Sequence, residues 1–201
     1  MLIGIDISHH NQHMKNLKDL QALDFVIMKA SEGVRFRDPA MKKYINALGN
    51  DQLRGFYHFI RPDLGNEPEA EAFYFIDTIR DYINGKTILA LDVEAGALAV
   101  PDLDRWCCTW AQIVELSTGV LPMIYCSVAE CKRFTGLREL SCGLWAAKWS
   151  KNKPTANQMS PWEFWAIWQY TSDNVFSGVR TDADLFNGTR EQWLKYAKVA
   201  D

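Results

Sequence analysis

The stretch that decides the fold is Thr87-Ile88-Leu89-Ala90-Leu91-Asp92-Val93-Glu94. Ile88 to Leu91 is continuously apolar, the pattern of a strand covered on both faces within a parallel sheet. Side chains alternate along a strand, so Asp92 and Glu94 emerge on the same side. Two acids crowded together where a buried strand ends are costly unless they are solvated, paired or used. Crowding favours one protonated and one ionised carboxyl, the division of labour needed for acid-assisted cleavage of a glycosidic bond. Strand-end acids salt-bridged to Lys or Arg would leave the same trace in the sequence.

Outward from this stretch, strand and helix signals alternate. Strands are predicted at Leu2 to Ile7, Phe25 to Ala30, Leu53 to Phe59, Thr87 to Val93 and Leu121 to Cys126. Between them, Asp38-Pro39 reads as the start of a helix carrying Met41, Tyr44, Ile45 and Leu48, with Gly49 at its end. Asn66 and Glu69 resemble a capping box for a helix presenting Phe73, Ile76, Ile79 and Ile83. Pro101-Asp102 precedes a helix that Gly119 closes. The rhythm then changes. Leu144 to Trp149, Phe164 to Tyr170 and Thr181 to Leu185 read as strands, but Lys151 to Trp162 shows no helical period. Thr189 and Gln192 are placed to cap a last helix. The predicted class is α/β: five β/α units followed by three strands that lack full helices, in a barrel that loses its helical coat on one side.

Size and composition bound the function. The 201 residues suffice for one core, and a single domain over 1–201 without a separate binding module is expected. A net charge of -3 argues against nucleic acid as the main partner. No apolar run reaches the ~18 residues of a membrane span, so no membrane insertion is expected. Met1 to Asp6 meets an acid at once and has no basic region, which reads as a strand and not a signal peptide. The five cysteines (Cys107, Cys108, Cys126, Cys131 and Cys142) have no framework spacing, consistent with reduced thiols in a chain made in the cytoplasm. They are too scattered for zinc. His9, His10 and His13 beside Asp6 raise a metal reading, but histidines in a loop after a first strand are ordinarily solvated, and no metal or cofactor is expected.

In β/α barrels catalytic groups sit at the C-terminal ends of the strands. The polar residues there are Asp6, Lys29 to Glu32, Tyr57 and His58, Asp92 and Glu94, Tyr125, Trp145, Gln169 and Tyr170, with Asp182 and Asp184 on the last strand. The stretches that carry them are Gly4-Ile5-Asp6-Ile7-Ser8, Met28-Lys29-Ala30-Ser31-Glu32-Gly33, Gly55-Phe56-Tyr57-His58-Phe59 and Leu91-Asp92-Val93-Glu94. Ile124-Tyr125-Cys126-Ser127, Leu144-Trp145-Ala146-Ala147, Ile167-Trp168-Gln169-Tyr170-Thr171 and Asp182-Ala183-Asp184-Leu185-Phe186 continue the series.

These eight stretches, in this order, resemble the glycoside hydrolase family 25 lysozymes (Chalaropsis-type muramidases), many of them phage endolysins. The resemblance implies a flattened (β/α)5β3 TIM-like barrel. It also implies hydrolysis of the β-1,4 bond between N-acetylmuramic acid and N-acetylglucosamine in bacterial cell-wall peptidoglycan. It gives Glu94 as general acid, Asp92 as the group beneath the sugar, and Asp6 and Asp182 as the remaining catalytic acids. Tyr57, His58, Tyr125, Trp145, Gln169 and Asp184 are the expected substrate contacts. Asp184 stands where the family often carries Asn. A monomer is expected, acting on the wall after release by lysis or a holin-type pore. Two other readings compete: a chitinase-like hydrolase, whose further upstream acids are Thr87 and Ala90 here, and a non-catalytic glycan-binding barrel, which the retained Glu94 disfavours.

Overall fold

The computed structural model describes residues 1–197. Nine strands form one sheet: β1 (Leu2–Ile7), β2 (Phe25–Glu32), β3 (Phe36–Arg37), β4 (Leu53–Phe59), β5 (Thr87–Asp92), β6 (Met123–Ser127), β7 (Leu144–Ala147), β8 (Ile167–Phe176) and β9 (Val179–Phe186). Eight of them run in the order β1-β9-β8-β7-β6-β5-β4-β2, and β1 pairs with β2 to close a barrel; β3 is a short flap on β2. Closure leaves no open edge among the eight. Among the barrel strands β1, β2 and β4 through β8 every pairing is parallel, whereas β9 is antiparallel to both β8 and β1, and the flap β3 is antiparallel to β2.

That reversal comes from a two-residue turn. Ser177 and Gly178 both have positive φ, 46° and 81°, the geometry of a tight hairpin whose second position suits glycine. With no crossover helix between β8 and β9, the barrel is uncovered there. The helices are α1 (Met41–Ala47), α2 (Pro68–Ile79), α3 (Leu103–Thr118), α4 (Thr135–Glu139), the single turn α5 (Ala156–Met159) and α6 (Arg190–Tyr196). Between β7 and β8 the connection carries only the single turn α5.

Two apolar regions hold the fold. Outward residues such as Ile5, Met28, Phe56, Leu89, Leu91 and Ile124 pack beneath the helices with Phe75, Trp110 and Val114. Inward residues Phe25, Ile27, Ile88, Ala90 and Ile167 fill the barrel. Its far end is plugged by Trp193 of α6, whose ring centre lies 4.8 Å from that of Phe25, tilted, and 5.2 Å from that of Phe186, edge-on, with its Nε1 donating to the Lys86 carbonyl. Thr189 and Gln192 form the capping box that starts α6, as the sequence suggests.

Local details differ from expectation in three places. The α2 face is rotated: Phe75 and Ala72 are buried, while Phe73 is 59% exposed. Asn66 caps nothing; Pro68 opens α2, and the Asn66 amide donates to Glu71 instead. Asp38 lies before a turn and not in a cap of α1, which begins at Met41, and its carboxylate accepts from the Ala40 and His9 backbones.

Candidate active site

The parallel strands all end on one face, and a cavity of about 260 Å³ opens there. Asp6, Tyr57, Asp92, Glu94, Tyr125, Trp145, Gln169 and Asp182 line it, brought together from β1, β4, β5, β6, β7, β8 and β9. Their convergence follows from alternation: each stands at an inward position of its strand, while Val93, between the two acids, is buried under the helices. Asp182 reaches the mouth from the opposite direction. Because β9 runs backwards, its N-terminal half meets the C-terminal ends of its neighbours, so Asp182 lies nearer the opening and Asp184 deeper.

Two expected substrate contacts are corrected. His58 shares a strand with Tyr57 and, being adjacent, faces the other way. It is 0% exposed, stacks on Trp110, contacts Ser31 Oγ at 2.8 Å through Nδ1 and pairs with Glu71 at 2.9 Å through Nε2. Burial lowers its pKa, so it is a neutral core histidine away from the cavity. Asp184 is also sealed; its Oδ1 accepts from Trp145 Nε1 at 2.8 Å, beneath the cavity floor.

Sequence reasoning missed Trp149. It is 65% exposed, lines the cavity and donates from Nε1 to Gln169 Oε1 at 2.9 Å. It also borders an adjoining, more apolar cavity of about 430 Å³ that shares Glu94 and Tyr125 and is walled by Leu98, Val128 and Ala147. The Lys148-Trp149-Ser150 segment follows β7 without periodicity, so the one available signal was an aromatic residue just past a strand end.

A hydrogen-bond network fixes the floor. Gln169 Oε1 accepts from Tyr125 Oη at 2.9 Å and from Trp149, while its Nε2 donates to Asp6 Oδ2 at 2.9 Å. Asp182 and Asp184 stand on the same inward face of β9 beside Asp6, and the charges of Asp6 and Asp182 raise the pKa of Asp184 while that of Asp182 raises Asp6.

Electrostatics follow from enclosure. Burial raises the Asp92 pKa well above the usual carboxylate range, and the charge of Glu94 adds to it. Asp92 Oδ1 has no hydrogen-bond partner among the described residues, so little but charge stabilises its ionised form. Glu94, at the exposed rim, is raised by burial of its carboxyl, opposed by Lys29 and assisted by Asp182. Enclosure therefore pushes Asp92 further than Glu94, although the expected general acid of the pair is Glu94. Asp6 is raised to about 7, first by burial and then by Asp182, against the hydrogen bond from Gln169. Lys29, whose ammonium lies 2.7 Å from Glu32, lowers both Asp92 and Glu94 and is the nearby cation on which this pair depends. Glu32 in turn pairs with Arg61 at 3.0 Å.

This arrangement can protonate a bridging oxygen at its rim and place several acids around a bound ring. The chain is similar to Lysozyme M1 of Streptomyces globisporus, 28% identical over 96% of this chain and 70% of that protein. It is similar to the N,O-diacetylmuramidase of Chalaropsis sp, 26% identical over 96% of this chain and 98% of that one. Its fold superposes on the bacterial lysozyme of Streptomyces coelicolor with a TM-score of 0.84, at 24% identity, covering 100% of this chain and 98% of the other. The family model for glycosyl hydrolases family 25 matches residues 5–179, and the chain belongs to that family of glycoside hydrolases.

Proposed function

We propose that this enzyme is a muramidase, hydrolysing the β-1,4 bond between N-acetylmuramic acid and N-acetylglucosamine in peptidoglycan. Family membership and the resemblance to lysozymes support the substrate class. The observation that carries the chemistry is that Asp92 and Glu94 open on one cavity faced by Asp6 and Asp182.

Glu94, at the rim, donates its proton to the leaving sugar oxygen; its raised pKa keeps that proton available. Asp92 and Glu94 project from the same side of one strand, so they do not flank opposite faces of a ring as an acid and a protein nucleophile would. The substrate's own 2-acetamido oxygen then serves as nucleophile, with Asp92 orienting the amide. Positive charge building on the ring and the acetamido group favours ionised Asp92, and Lys29 assists that ionisation. Water completes hydrolysis with Glu94 acting in reverse as base. Tyr57, Tyr125, Trp145 and Trp149 offer rings for the glycan, and the Tyr57 hydroxyl adds a polar tip, the two indole N–H groups being engaged by Asp184 and Gln169. We also assign the barrel to the flattened (β/α)5β3 type, supported by the helix-free β8–β9 hairpin.

Mass spectrometry of digested peptidoglycan tests the reading. New reducing-end muramic acid is expected; new reducing-end N-acetylglucosamine, or intact glycan, would end it. NMR of the first-formed product distinguishes the steps. Retained β-anomer supports the acetamido nucleophile, and inverted product would assign water activation to Asp6 or Asp182 instead.

A further inference from the structure

The barrel holds one more carboxyl than the cavity uses. Asp184 is 0% exposed and stands in register opposite Gly4 of β1 and Gln169 of β8. Its Oδ1 accepts from Trp145, but its Oδ2 is sealed with no hydrogen-bond partner, and it enters no salt bridge among the described residues. A bare carboxylate there would sit desolvated on a single hydrogen bond. Its neighbour is Asp6, two positions beyond Gly4 on the same inward face of β1 and held by Gln169, which stands opposite Asp184. Two ionised carboxylates placed there could not bond each other, since neither has a hydrogen to give. Of the two, Asp6 opens on the cavity and receives the Gln169 amide, whereas Asp184 is wholly enclosed.

We propose that Asp184 is a positioning residue: a neutral carboxylic acid whose O–H donates to Asp6 and, together with Gln169, locks the Asp6 carboxyl in its cavity-facing orientation. The groups facing Asp184 are Asp6 on β1, Asp182 on its own strand, Tyr170 on β8 and Trp145 on β7. Burial first, and then the charge of Asp6, raise its pKa well above the carboxylate range, and Asp182 adds to this. Arg180 acts on Asp182, not on Asp184. At alkaline pH the proton is lost, two charges meet, and Asp6 loses its clamp. An asparagine would keep the donor and have no proton to lose.

The role rests on the muramidase reading for the place of Asp6 in the reaction, but the buried proton does not. In infrared difference spectra at pH 7, the wild-type protein should show the carbonyl band of a neutral carboxylic acid that Asp184→Asn lacks. In peptidoglycan hydrolysis, Asp184→Asn should keep kcat within about threefold and move the alkaline limb of the pH–rate profile up by about one unit. Asp184→Ala should lose about tenfold or more in kcat with little change in KM. Identical infrared spectra for wild type and Asp184→Asn would overturn the proposal, as would an Asp184→Asn variant with an unmoved alkaline limb or a loss as large as that of Asp184→Ala. If Asp184→Ala does not fold, the asparagine variant and the infrared band decide alone. A wild-type protein that cleaves no peptidoglycan would remove the muramidase reading and leave the infrared result standing.

Discussion

Gln169 and Asp6 lie 163 residues apart, yet the Gln169 amide nitrogen donates to Asp6 Oδ2 at 2.9 Å. The bond spans from β8 to β1 across the intervening strand β9. It ties the site to the closure of the barrel, because Asp6 can be held this way only once the last strands have come round to the first. The Gln169 carbonyl is occupied as well, by Tyr125 and Trp149, so the amide cannot turn over without breaking three hydrogen bonds. The acids of the cavity therefore rest on a rigid polar floor.

Glu94→Gln removes the proton donor and keeps its shape. Loss of general acid catalysis is worth 10²–10⁴-fold, so kcat on purified walls should fall by about a thousandfold. Glu94 is exposed at the rim, so the melting temperature should stay where it is. Turbidity clearing and a thermal melt on the same preparation check both, and clearing at the wild-type rate would remove Glu94 from the reaction.

Stability should decline from acid toward neutral pH. Asp6 has a pKa of about 7 against 3.8 when unperturbed, so between those values the folded chain binds more protons than the unfolded one. Ionisation then opposes folding, and stability drops as pH rises through this window, by at most about 1.4 kcal/mol per pH unit from this group. Calorimetry from pH 4 to 7 should show a falling midpoint, shallower in Asp6→Asn. A midpoint that climbs across the window would contradict the assignment.

Trp149 offers an exposed ring between the two cavities, and its removal should weaken glycan binding more than folding. Asp6, Asp92 and Glu94 stay in place in Trp149→Ala, so KM should rise by about five- to tenfold with kcat changed far less. Steady-state kinetics on soluble glycan fragments would show it; an unchanged KM would make Trp149 a bystander.

His58 should matter to stability and not to chemistry. Its pairing with Glu71 is sealed, and Glu71 also accepts from the Arg61 backbone and Asn66. His58→Ala strands that acid and opens a cavity, costing about 3 kcal/mol in urea unfolding. The folded fraction should retain its kcat. A variant of normal stability that cannot hydrolyse walls would reinstate His58 as a substrate contact.

Chelation should leave activity intact. His9 Nδ1 is taken up by Asp38 at 2.8 Å, and among the described residues no three potential ligands gather closely enough to hold a metal ion. Dialysis against EDTA followed by a wall-clearing assay is the check; a loss restored by added zinc would reopen the metal reading.

Much of the molecule was legible in the order of its residues. Local periodicity reports burial, so the apolar run ending in Asp92-Val93-Glu94 announced both a core strand and a pair of acids on one side. The same rule, carried one step further, separates Tyr57 from His58, since neighbours on a strand cannot face the same way. What needed the folded chain were relationships without local period. The reversed direction of β9 decides that Asp182 meets the cavity while Asp184 is sealed below it. The swing of Trp149 onto Gln169 and the enclosure that sets each acid's proton affinity arise from groups far apart in the chain. Periodicity acts between residues a few places apart, whereas desolvation and charge act through space, and space is defined only when the barrel closes.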